Sequence, residues 1–87
     1  MEDLKKVLVV EDEDHMQALI KYNLNKENYE VSTARDGSEG LEEVKKQKPD
    51  LIISDVMMPR MDGYEFCKIL REDPSTKTIP FIFTDAT

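Results

Sequence analysis

Three short apolar runs break off at polar or acidic residues, and this pattern limits the chain more than any other feature. Val7-Leu8-Val9-Val10 runs into Glu11-Asp12-Glu13, Leu51-Ile52-Ile53 into Ser54-Asp55, and Phe81-Ile82-Phe83 into Thr84-Asp85. The first run, led by Lys6, shows no alternation, so it suits a strand buried on both faces (β1). Between the runs the apolar period changes. Met16, Leu19, Ile20 and Leu24 recur at helical spacing behind Asp14, a candidate cap, which predicts a helix (α1) to about Glu27. Tyr29 to Ala34 reads as a second strand (β2). Asp36 with Glu39 three residues on has capping-box spacing and opens a second helix (α2) that stops before Pro49. The third strand (β3) starts at Leu51. A loop with Pro59 and Asp62-Gly63 leads to a third helix (α3) from Gly63 to Glu72, closed by Pro74, and Ile79 to Phe83 reads as a fourth strand (β4) with Pro80 at its entrance. This β-α-β-α-β-α-β order calls for an α/β fold, a parallel sheet with helices on both faces. Right-handed crossovers favour the strand order 2-1-3-4, with the topological switch point between β1 and β3.

In such a sheet, ligands bind outside the carboxyl ends of the strands at the switch point. Glu11 and Asp12 leave β1 there and Asp55 leaves β3, so three carboxylates from distant segments converge. Crowded like charges repel, and hard oxygen ligands suit Mg²⁺, which takes one or two carboxylates with water and phosphate oxygens. Any one of the acids could simply cap a following helix, but Asp55 precedes a loop, and capping does not account for it. With a divalent cation beside it, a carboxylate at Asp55 is a candidate nucleophile toward phosphorus.

The segments Val-Leu-Val-Val-Glu-Asp-Glu and Leu-Ile-Ile-Ser-Asp-Val-Met-Met-Pro-Arg-Met-Asp-Gly resemble the receiver domain of two-component response regulators. The resemblance runs along the whole chain in order and spacing. It implies a flavodoxin-like fold phosphorylated on aspartate by a sensor histidine kinase or phosphotransfer protein. Asp55 matches the phosphoacceptor, Asp12 the direct metal carboxylate and Glu11 its acidic neighbour acting through water. Met57 matches a metal ligand through its backbone carbonyl, and Pro59 and Gly63 match turn residues of the loop. Receivers place a Ser or Thr at the end of β4. Counting from Pro80, that switch position is Asp85, with Thr84 one residue early, so it falls on Thr84 or Asp85. A carboxylate at Asp85 would add a fourth negative charge beside the phosphoryl site. The family's fifth strand with its lysine, and its last helices, would follow residue 87, so residues 1–87 resemble about two thirds of a receiver.

The 87 residues suit one small domain, and Leu, Ile, Val and Phe number 22 of them, about a quarter. That exceeds the roughly 20% below which a charged chain stays disordered. A formal charge of −7 repels phosphate backbones and anionic headgroups, which argues against direct nucleic-acid or membrane binding. No apolar run approaches the roughly 18 residues of a membrane helix, and one cysteine, Cys67, precludes an internal disulfide, so the expected compartment is cytoplasmic. His15 reads as a solvated side chain, Cys67 as core filling, and the methionines at 57, 58 and 61 do not make a copper site among hard oxygens. Two alternatives to a phosphoacceptor module are a receiver-like interaction module that is not phosphorylated and an aspartate-nucleophile phosphatase. Phosphatases of the haloacid-dehalogenase type place a second Asp two residues after the nucleophile, where this chain has Met57. The apolar β4 is expected to leave an open edge that supports self-association or strand exchange.

Overall fold

A computed structural model of the chain describes residues 4–84. Its elements are β1 (Lys6–Val10), α1 (Asp14–Lys26), β2 (Glu30–Ala34), α2 (Gly37–Gln47), β3 (Leu51–Ser54), α3 (Gly63–Glu72) and β4 (Phe81–Phe83). The four strands pair in parallel in the order β2-β1-β3-β4, the expected topology.

Central β1 is covered on both sides, and Val7 to Val10 are buried throughout. The pleat sends Leu8 and Val10 to one face, where they join Ala34, Ile52, Val44 of α2 and Phe66 and Leu70 of α3 in the main core. Phe66 and Phe81 meet edge to face across this core, with ring centroids 5.5 Å apart. Val7 and Val9 turn to the opposite face, and α1 packs against β1 and β2. On that same face Val9, Ile53 and Ile82 are successive cross-strand neighbours. Ile53 is half-buried and Ile82 is 53% exposed. The α1 stripe divides likewise: Ile20 and Leu24 are half-buried, whereas Met16 and Leu19 are exposed.

Three boundaries differ from the sequence reading. The cap of α1 is Glu13, not Asp14, because the longer Glu13 side chain folds back to accept from the amides of His15 at 3.0 Å and Met16 at 2.9 Å. Strand β2 begins at Glu30, since the Tyr29 amide is taken by the Leu24 carbonyl in the turn that closes α1. Strand β4 begins at Phe81: the Ile79 amide bonds the Thr76 carbonyl in a turn, and Pro80 joins the ladder only by accepting from the Ile52 amide. Asp36 caps α2 as its spacing required, accepting from the Glu39 amide at 2.9 Å while Glu39 accepts from the amide of Arg35 at 3.0 Å. No helix among the described residues is long and apolar enough to cross a membrane.

Candidate functional site

The ladder hydrogen bonds continue one residue beyond the ends of the strands. The Glu11 amide donates to Ala34, that of Asp55 to Val10 and that of Thr84 to Ser54, each at 2.9 Å. Parallel register therefore sets Glu11, Asp55 and Thr84 side by side along the carboxyl rim of the sheet, at the switch point. Glu11, Asp12 and Asp55 each offer a carboxylate oxygen within 4.8 Å of the others. Glu11 is buried, and Asp12 and Asp55 are half-buried. Burial drives the Glu11 carboxyl above its ordinary range, the amide of Glu13 pulls it back in part, and the charges of Asp55 and Asp12 add to the rise. Such a trio is poorly stable as bare anions. Its hard oxygens at this separation fit a divalent cation such as Mg²⁺.

The loop that begins at Asp55 is tightly placed. One oxygen of Asp55, Oδ1, accepts from the Val56 amide at 2.8 Å, the Ser54 hydroxyl donates to the Asp55 carbonyl at 2.8 Å, and the Gly63 amide donates to the Val56 carbonyl at 2.8 Å. A Cβ on Gly63 would lie 2.2 Å from the Asp55 carbonyl oxygen, so the first turn of α3 approaches the loop as only glycine allows. The Met57 side chain is 75% exposed. Thr84 stands in the row with Asp55, and Asp85 lies outside the described residues.

Sequence reasoning missed three polar side chains around this crevice. Gln17 Nε2 donates to the Glu11 carbonyl at 2.9 Å and the Ala34 carbonyl at 3.2 Å, tying α1 to the rim. Arg35 reaches across to Asp14 and Asp12, and Arg60 pairs with buried Asp36. Nothing in the sequence marks Gln17. The arginines carried one signal, cations placed among acids near strand ends.

The model of the response regulator receiver domain matches residues 7–87. The chain belongs to the receiver domain family. This receiver is 52% identical over 68 residues to the alkaline phosphatase synthesis transcriptional regulatory protein PhoP of Bacillus subtilis (strain 168), covering 78% of the chain and 28% of PhoP. The structure of the chemotaxis response regulator CheY4 of Vibrio cholerae superposes with a TM-score of 0.89 at 38% identity, covering 98% of this chain and 72% of that one. The receiver domain of the sensor histidine kinase PA1611 of Pseudomonas aeruginosa PAO1, solved with a magnesium ion coordinated in its active site cleft, gives a TM-score of 0.91 at 27% identity. That match covers 98% of this chain and 70% of the other. The receiver thus spans well under half the length of the curated relatives it matches.

Proposed function

We propose that this receiver accepts a phosphoryl group on Asp55 from a sensor histidine kinase or phosphotransfer protein in a Mg²⁺-dependent reaction, and so acts as a signalling phosphoacceptor rather than as a turnover enzyme. The observation that carries this reading is the convergence of Glu11, Asp12 and Asp55 within 4.8 Å at the rim of a sheet of receiver topology.

Asp12 and Asp55 would hold the cation directly, with the Met57 backbone carbonyl, and Glu11 would hold it through water. Bound there, Mg²⁺ supplies charge neutralisation for the incoming phosphoryl oxygens. Because the Val56 amide occupies Oδ1 of Asp55, Oδ2 is the attacking oxygen. Its lone pair forms the new O–P bond as the P–N bond to the donor imidazole breaks, and the electron pair of that bond returns to the imidazole nitrogen. The magnesium-bearing relative and the chemotaxis and transcriptional regulators among the relatives support this reading. The acidic balance of the chain keeps the receiver itself off nucleic acid.

The test is labelling by a small phosphodonor in the receiver extended to its family's full length, with and without Mg²⁺. Hydroxylamine-labile phosphate should appear on Asp55 only with the metal and disappear in Asp55→Asn. Labelling that survives in Asp55→Asn overturns the assignment. Absence of labelling in the parent favours the second reading, a receiver-like interaction module that is not phosphorylated.

A further inference from the structure

The turn between β2 and α2 contributes no carboxylate to the crevice, yet both loops that do are fastened to it. On one side Arg35 extends its guanidinium over the β1–α1 loop, pairing with the Asp14 carboxylate and donating from Nη2 to the Asp12 carbonyl at 3.1 Å. The Arg35 amide is itself held by Glu39 Oε1 at 3.0 Å. On the other side Arg60, in the β3–α3 loop, pairs with Oδ2 of Asp36, a fully buried side chain whose other oxygen caps α2. Arg60 Nη2 also lies 3.9 Å from Glu39 Oε2, so the two arginines share Glu39.

Two further features show that the second fastening is built into the loop. Arg60 has a left-handed φ of 64°, a conformation that a non-glycine residue keeps when its surroundings hold it there. Next to it, the Gly37 amide donates to the Met61 carbonyl at 3.0 Å, and a Cβ on Gly37 would come within 2.7 Å of Met61 Cγ. The loop that starts at Asp55 is therefore clamped to the α2 terminus by an ion pair, a backbone hydrogen bond and a close packing contact.

We infer that Arg35 and Arg60 are positioning residues, which hold the Asp12 loop and the Asp55–Met57 loop at the separation a divalent cation requires by anchoring both to the β2–α2 turn. This rests on the proposed metal-dependent function of the crevice. The charges of the arginines alone would act in the opposite sense. Two cations near an acidic trio repel Mg²⁺, so removing either one should tighten binding if Coulomb forces were the whole effect. Positioning predicts weaker binding, because a ligand set that loses its outer supports loses affinity.

The experiment is a titration of the ¹⁵N-labelled chain with MgCl₂ for the parent, Arg60→Gln and Arg35→Gln. Each variant should bind Mg²⁺ on the order of tenfold more weakly than the parent. Before any metal is added, amide shifts should move at Asp55 to Met57 in Arg60→Gln and at Asp12 and Glu13 in Arg35→Gln. Arg35 and Asp14 are both exposed, so Arg35→Gln keeps the fold and decides the matter if Arg60→Gln fails to fold. A folded variant that binds Mg²⁺ as tightly as the parent, or more tightly, overturns the inference. A parent chain that shows no response to MgCl₂ overturns the metal-dependent reading instead, and the metal-free shifts then decide whether the arginines place the loops.

Discussion

The amide of Asp55 donates to the carbonyl of Val10 at 2.9 Å, one residue beyond the last paired residues of β1 and β3. That bond fixes the height of the Asp55 carboxylate against Glu11, the residue that follows Val10, and makes their mutual repulsion a property of the backbone register. Side-chain rotation relieves only part of it.

Relief by a cation should therefore appear as stability. Glu11 titrates above its ordinary 4.5, so the stability its protonated form contributes is fully present below that value and is lost as pH rises through the higher folded-state value. At a Mg²⁺ concentration ten times the dissociation constant, the gain is about 1.4 kcal/mol. Thermal unfolding in MgCl₂ against chelator measures it. Asp12→Asn should melt above the parent in chelator and lose most of the Mg²⁺ response, and a full response in that variant counts against the site.

Asp36 works in the opposite direction. Burial raises its carboxyl, but the Glu39 amide and the Arg60 guanidinium outweigh burial, and the group titrates below its ordinary 3.8. Its contribution to stability is present above that value and is lost as pH falls through the lower folded-state value. Asp36→Asn should cost about 1 to 2 kcal/mol at neutral pH, less than a fully enclosed pair because Arg60 is open to solvent. Urea unfolding from pH 7 to pH 2.5 should show the difference from the parent shrinking at the acid end. A difference constant over that range would mean that the ion pair is not its source.

Gly63→Ala places a methyl group against the Asp55 carbonyl, and backbone cannot yield as a flexible side-chain tip can. The expected loss is about 2 kcal/mol or more, with a shifted Asp55 amide resonance. A variant of parental stability would show that the start of α3 has room that its close approach to Asp55 denies.

No other strand among the described residues pairs with the outer edge of β4, and Ile82 on that strand is exposed. Apolar strand edges seek partners. The 87-residue chain should associate with rising concentration in sedimentation, with a concentration-dependent melting midpoint, and Ile82→Lys should suppress both effects. A monomer with a fixed midpoint would count against association through this edge.

The fold was legible because each element carried its own signal. The uninterrupted Val7–Val10 run marked the central strand, and Pro49, Pro74 and Gly63 bounded the helices. The acids of the crevice were legible for a related reason, since α/β topology brings strand ends together however far apart they lie in the chain. Side chains that reach between loops were not. Asp36 read as a helix cap, and it is one through Oδ1, but its pairing with Arg60 through Oδ2 depends on a left-handed turn that local sequence does not announce. The cap of α1 slipped by one residue because Glu13, Asp14 and neighbouring acids offer competing oxygens, and Arg35 claims that of Asp14.

Strands β1 and β3 are neighbours in the sheet, but α1, β2 and α2 lie between them in the chain. Their pairing closes a long loop, which costs entropy before the contact repays it. The crevice exists only where that pairing has formed, so a cation that needs all three carboxylates binds the chain with β1 and β3 joined. A ligand of the crevice therefore stabilises the closed centre of the sheet by mass action. For this receiver, a cation in the crevice would act as a cross-link between two strands that the chain itself joins only through α1, β2 and α2.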